Sequence, residues 1–296
     1  MNTAKQKRYD FDSNPEFEAL VDYIIGIIGK KTGNHFGDSQ RAMVKSRLQK
    51  RMLHLQISAP TEYHNFVKFH YKAELEELIG LLTTHHTFFF REFAQLSFLQ
   101  EAFSSLESLV QQGDRDQLMV WSAACSTGEE VYTLAMYLKK LLDERKESTN
   151  IRRYTILGTD IDSKCIKLAR NGVYKRSDLE RVPRDYVEGN WLSGTGEISD
   201  FCAVKASLKN RCQFEVHNIL DPTPFDFLQK FDVVFCRNVL IYFDHSTVEL
   251  AVKMLLKRLL PGGYLICGVS ESITNLSDDL VNVAPGVYKK TVGGGR

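Results

Sequence analysis

The 296-residue sequence has no apolar run long enough to span a bilayer, which leaves no candidate transmembrane helix. It has no CxxC pair. Its six cysteines, at 125, 165, 202, 212, 236 and 267, are scattered and several lie inside apolar runs, the pattern of buried, reduced thiols rather than of a zinc site or a disulfide framework. No metal is expected. An excess of one charge is missing as well: 38 Lys and Arg against 37 Asp and Glu leave +1, so no global field draws the chain to nucleic acid or membrane. The polar start, with Lys5, Lys7, Arg8, Asp10 and Asp12, carries no signal-like apolar stretch, and a cytoplasmic protein is expected. Neither the GxGxxG of a dinucleotide site nor the Gly-Lys-Ser/Thr of a P-loop occurs, which sets aside a nicotinamide dehydrogenase and a nucleotide triphosphatase.

What is present is an ordinary globular composition, 43% hydrophobic and 25% charged, at a length that suits two domains. From Pro15 to about Thr84 the patterns are helical. Phe17, Leu20, Val21, Ile24, Ile25 and Ile28 recur at helical spacing, and a second helix is expected after Asp38 as its cap, with Val44, Leu48, Met52 and Leu55 on one stripe. Arg47, Lys50, Arg51 and His54 run beside that stripe, with Arg41 and Lys45 on its other flank and no acid between Ser39 and Thr61. Such a band is either a solvated face or a surface for an acidic partner. Two further helices are expected near Thr61–Phe69 and Ala73–Leu82. Phe88, Phe89 and Phe90 then break the period as a hinge packed on both domains. Arg91 opens the next helix, carried by Phe93, Leu96, Leu99, Phe103, Leu106 and Val110 and ended by Gly113. An arginine in this setting needs an anionic partner, either a structural ion pair or a ligand. His85 and His86 have no third metal ligand nearby in sequence.

From residue 118 strands and helices alternate. Leu118–Ala124, Tyr154–Thr159, Gln213–Val216, Phe231–Cys236 and Tyr264–Val269 read as strands of a doubly wound parallel sheet, with a final strand at Val287–Val292. The first strand ends in Ser126-Thr-Gly128 and opens a helix at Glu129. Two carboxylates, Glu129 and Glu130, in a first turn repel a phosphate but suit a ligand carrying positive charge; the alternative is a plain strand-to-helix turn. About 30 residues on, Asp160 ends the second strand, where an acid accepts hydrogen bonds from ribose hydroxyls unless it merely caps a helix. Asn218 and Asn238 follow the third and fourth strands, also at carboxyl ends. Residues 185–211 read as an inserted hairpin turning at Gly194-Thr-Gly196, able to add a peptide strand or to decorate the surface.

Taken together, Thr87-Phe-Phe-Phe-Arg91, Trp121-Ser-Ala-Ala-Cys-Ser-Thr-Gly-Glu-Glu130, Gly158-Thr-Asp-Ile-Asp162 and Phe235-Cys-Arg-Asn-Val-Leu-Ile-Tyr-Phe-Asp244 resemble the CheR-type chemotaxis receptor glutamate methyltransferases. Pro261-Gly-Gly263 and Gly268-Val-Ser-Glu271 complete the match, which covers nearly the whole chain. The resemblance implies an all-α N-terminal domain over 1–88 and a class I methyltransferase sheet over 89–296 whose last strand is antiparallel, with a small inserted β-subdomain. It implies that S-adenosylmethionine is the cofactor and S-adenosylhomocysteine the product. Cofactor contacts would fall on Thr87, Arg91, Glu129, Asp160, Asn218 and Asn238, with backbone near Ile219 and Val239. Arg91 and Tyr242 would lie nearest the transferred methyl. The family usually has asparagine at His85, proline at Val131 and histidine at Val269, so His85 stands where a cofactor contact is expected. The substrate would be glutamates on cytoplasmic receptor helices, met by Arg47, Lys50 and Arg51. A receptor tail at the inserted hairpin and a monomeric state complete the expectation. The competing readings are a non-catalytic S-adenosylmethionine sensor of the same fold and a methyltransferase for another protein or a small molecule.

Overall fold

A computed structural model describes residues 14–145, 148–223 and 230–292, and the chain divides into two compact units, 1–84 and 85–296. The polar start lies outside the described residues. The division falls after Thr84 rather than after residue 88, because the phenylalanine segment belongs to the second unit's core. Phe89 packs edge-on against Tyr174 and Trp191 at 4.9 and 5.2 Å, and Phe90 against Tyr186 at 4.8 Å.

The first unit is helical throughout: α1 (Pro15–Thr32), α2 (Asp38–His54), α3 (Pro60–Phe69) and α4 (Tyr71–Leu82). Asn14 caps α1 by accepting from Glu16 N, and Gly33 ends it in the left-handed region. Phe17, Ile24 and Ile28 of α1, Leu48 and Met52 of α2, and Tyr63, Val67 and Leu78 form its core. Asp38 is the first helical residue of α2 and not its cap; Gly37 holds the cap position without a side-chain bond.

The positive face of α2 is compensated from other helices, which corrects its reading as an unopposed band. Arg41 pairs with Asp22 and Glu18 of α1, and Lys45 with Glu18. Arg51 grips the buried carboxylate of Glu74 through two bonds of 2.9 and 2.6 Å, and Tyr63 donates to the same carboxylate at 2.6 Å. Arg47 donates to the main-chain carbonyls of Leu81 and Thr83 at the end of α4. Lys50 and His54 remain exposed.

The second unit begins with α5 (Ala94–Glu101) and α6 (Phe103–Gln112), two helices broken at Ala102 where one was expected. Arg91 precedes α5 in a turn. Then come β1 (Gln117–Ala123), α7 (Glu129–Arg145), β2 (Arg153–Asp160), α8 (Ser163–Asn171), β3 (Val173–Lys175), α9 (Arg184–Val187), β4 (Trp191–Ser193), β5 (Phe201–Val204), α10 (Ala206–Lys209), β6 (Cys212–Val216), β7 (Phe231–Cys236), α11 (His245–Arg258), β8 (Leu259–Cys267), β9 (Leu280–Ala284) and β10 (Val287–Lys290). The main sheet runs β6-β2-β1-β7-β8-β10-β9. Its first five strands in that order are parallel, while β10 is antiparallel to β8 and to β9. The strand order reverses at β1, where β2 lies on one side and β7 on the other, so a crevice opens at the carboxyl ends of these strands. The inserted subdomain is a three-stranded sheet, β3-β5-β4. It therefore starts at Val173, ahead of the expected 185. Val173–Lys175 is too short to show an alternating pattern, and β9 was missed because its side chains are mostly exposed.

Candidate active site

The parallel registers bring five carboxyl ends to one edge of the sheet: Ala123 of β1 is level with Thr159 of β2 and Cys236 of β7, Asp160 with Val216, and Cys236 with Cys267. Adjacent strands lie about 4.8 Å apart. Residues just past these ends, spread from Ala124 to Gly268 in the sequence, are thereby neighbours around one crevice.

The turn after β1 takes three left-handed conformations, at Ala124 (φ 64°), Ser126 (φ 50°) and Gly128 (φ 96°). It is bonded to β2: Cys125 N donates to Thr159 O at 2.8 Å, and Ser126 N to Asp160 Oδ2 at 2.8 Å. A Cβ at Gly128 would stand 2.9 Å from the Ala169 methyl and 3.0 Å from the Tyr174 hydroxyl. The close approach that demands glycine is thus to α8 and the inserted sheet. Tyr174 also donates to Thr127 O at 2.7 Å, so the insert braces the turn.

Asp160 is buried, and its second oxygen accepts from Asp162 N at 2.9 Å. It caps no helix; Asp162 does, accepting from Lys164 N at 2.8 Å. Burial raises the Asp160 carboxyl above its usual range against the pull of these N–H bonds and of His85. Glu129 opens α7 and accepts the Thr127 hydroxyl, at 2.9 and 2.7 Å, and burial raises its carboxyl too. Each carboxylate oxygen has room for a further donor. A ligand with hydroxyl groups and positive charge fits these two acids; a phosphate does not.

His85 Nε2 lies 3.3 Å from Asp162 Oδ2, which also accepts from Cys165 Sγ at 3.5 Å. The third group that the sequence failed to place near the histidine is therefore supplied by α8, and the three donor atoms lie within 4.8 Å of one another. Thr87 is half-buried in the same segment. Arg91 is half-buried, donates through Nη1 to His86 O at 2.9 Å and sits over the Phe88 ring at 5.8 Å. Among the described residues no acid pairs with it.

On the other side of β1, Asn238 adopts φ 58° and donates to Glu92 Oε1 at 3.1 Å. Glu271 accepts from the main-chain N–H of Asn238, Leu240 and Gly268 at 2.7, 2.8 and 2.7 Å, ordering the turn that carries Val239 and Tyr242. Asn218 accepts from Leu220 N at 3.0 Å, beside buried Ile219. Glu92, Arg237 and Glu271 were not singled out from the sequence. Arg237 directly follows the buried run Phe231–Cys236, and Arg237 and Glu271 lie within the quoted motifs. Arg47, Lys50 and Arg51 belong to the helical unit.

Asp160→Ala is expected to weaken S-adenosylhomocysteine binding by about 2–3 kcal/mol, because it removes the acceptor for ligand hydroxyls and frees the Ser126 turn. Calorimetry returning unchanged affinity in a folded variant contradicts the assignment.

A doubly wound sheet with an antiparallel penultimate-edge strand, and acids and amides gathered at its carboxyl ends, defines a class I S-adenosylmethionine-dependent methyltransferase fold. Residues 85–288 match the CheR methyltransferase SAM-binding domain and residues 15–83 the CheR methyltransferase all-alpha domain. The chain belongs to the CheR methyltransferase family. It is 32% identical over 98% of its length to a chemotaxis protein methyltransferase of Borreliella burgdorferi, all of which is covered. It is 32% identical over 86% of its length to that of Salmonella typhimurium, covering 83% of that protein. The Escherichia coli protein of the same name is 31% identical over 86% of this chain and 84% of its own length.

Proposed function

We infer that the chain transfers a methyl group from S-adenosylmethionine to glutamate side chains of chemotaxis receptors, forming methyl esters. The observation that carries this reading is the pairing of two acids with spare acceptor capacity, half-buried Glu129 and buried Asp160, with a half-buried arginine, Arg91, that no carboxylate pairs with among the described residues.

When bound, S-adenosylmethionine supplies an electrophilic methyl on a sulfonium. Asp160 would hold the ribose hydroxyls, and Glu129 the positively charged part. His85, Thr87, Asn218 and Asn238, with main chain at Ile219 and Val239, would complete the pocket. A substrate glutamate, with pKa about 4.3, is already ionised at neutral pH, so no general base is required. The protein's task is alignment. Arg91 steers one carboxylate oxygen with the donors His86 leaves unused, and Tyr242 donates nearby, leaving the other oxygen to attack. Orientation of this kind can contribute several kcal/mol. Charge is neutralised as the methyl moves, so excluding water helps.

The substrate helices meet the exposed part of the α2 face at Lys50, and a receptor tail adds to the open edge of the inserted sheet at β4, where Leu192 is exposed. The protein acts in the cytoplasm as a monomer; among the described residues no helix is long and apolar enough to cross a membrane. Incubation with methyl-labelled cofactor and receptor cytoplasmic fragments tests the reaction. Label released as volatile methanol by mild alkali supports it. Cofactor binding without transfer favours the sensor reading, and alkali-stable label favours another acceptor.

A further inference from the structure

Arg237 lies one residue beyond β7 with its side chain only 4% exposed, too buried to meet a substrate. Its guanidinium joins three separate pieces of chain. Nη1 donates to Glu130 Oε2 at 3.0 Å; Nη2 donates to the Arg91 main-chain carbonyl at 2.7 Å and to Glu92 Oε2 at 3.0 Å. The carboxylates it grips reach further. Glu130 accepts from Ser122 Oγ of β1 at 2.8 Å, while Glu92 accepts from Asn238 Nδ2 at 3.1 Å and Val269 N at 3.3 Å. Burial opposes the charge on Glu92, but the bonds from Asn238 and Arg237 outweigh it and hold the carboxyl below its usual range.

The backbone fixed by these bonds is strained. Arg91 stands between two left-handed residues, Phe90 (φ 58°) and Glu92 (φ 51°), and Asn238 is left-handed as well (φ 58°). None is glycine, and such conformations persist only where the surroundings over-determine them. Phe90 N is held by the Thr133 hydroxyl at 3.1 Å and the Glu92 carbonyl by Gln95 N at 3.0 Å, while Arg237 and the Glu92 side chain tie this stretch to the Asn238 turn. One planar fork thus sets the Arg91 turn against the Asn238–Tyr242 turn across the crevice.

We propose that Arg237 is a positioning residue for methyl transfer, a clamp that fixes Arg91 directly and the Tyr242 turn through Glu92. The inference rests on the reading of Arg91 and Tyr242 as transfer residues. A structural ion pair alone would predict only a stability effect; the clamp predicts a rate effect that runs through Arg91.

Arg237→Lys keeps the buried charge but loses the fork, which a flexible ammonium does not reproduce. Turnover of receptor substrate is expected to fall about 10- to 100-fold, as for a misplacement of roughly an ångström, with S-adenosylhomocysteine affinity little changed by calorimetry. In an Arg91→Ala background the same substitution should cost almost nothing more, because groups acting as one unit are not additive. If Arg237→Lys does not fold, Glu92→Gln, which is isosteric but replaces one of the two accepting oxygens with a donor and so keeps only one of the bonds from Arg237 and Asn238, carries the same test with the same coupling to Arg91. Losses that multiply with those of Arg91→Ala, or a lowered melting point with full turnover, overturn the clamp alone. Full activity in Arg91→Ala itself removes the underlying reading of Arg91 and the clamp with it.

Discussion

Arg51→Ala is expected to destabilise the helical unit by about 3–5 kcal/mol, the usual cost of stranding one partner of a buried ion pair. The Glu74 side chain is 3% exposed, and among the described residues Arg51 supplies two of its three side-chain hydrogen bonds and the Tyr63 hydroxyl the third. Denaturant unfolding of the full chain, followed by circular dichroism, measures the loss. The double variant Arg51→Met, Glu74→Leu should recover most of it, since removing both charges leaves none stranded. Wild-type stability in the single variant means the pair is not the support described. The same geometry decides how receptor contacts on α2 can be probed. Reversing Arg51 to Glu sets two carboxylates together in the core, so a receptor effect there would report unfolding. Lys50→Glu, at an exposed site, is the clean substitution.

Arg91→Ala should reduce receptor methylation by about a hundredfold or more while the melt stays cooperative. Among the described residues its guanidinium makes one hydrogen bond, to His86 O, and one ring contact, to Phe88, so truncation removes little that holds the fold. The loss should appear in kcat, because the misaligned carboxylate still reaches the crevice but spends less time in line with the methyl. A variant that keeps its turnover and melts lower assigns Arg91 to the fold instead.

The central strands of the crevice were readable because they are buried apolar runs ending in small or polar residues: Leu118–Ala123 before Cys125-Ser-Thr-Gly128, and Phe231–Cys236 before Arg237-Asn238. Asp160 was readable for the same reason. The features that escaped are those set by distant partners or by short exposed segments. Leu280–Ala284 lies at a sheet edge and lacks a buried stripe. The break at Ala102 keeps Leu99 and Phe103 both in the core, so the helical period runs across it unmarked. The α2 band looked unopposed because its acids sit 23 residues away or more in α4, and on α1 before it. The Arg237 fork joins residues 107 and 145 positions apart. No local pattern announces such a contact.

The central claim is that this crevice aligns a glutamate carboxylate with the cofactor's methyl, and the acceptor atom tests it most directly. Purified chain, S-adenosylmethionine and a receptor cytoplasmic fragment should give, by tandem mass spectrometry, methyl groups on glutamate side-chain oxygens, present with the wild type and nearly absent with Arg91→Ala. Methyl found on nitrogen or sulfur, or glutamate esters formed equally well by Arg91→Ala, would contradict it.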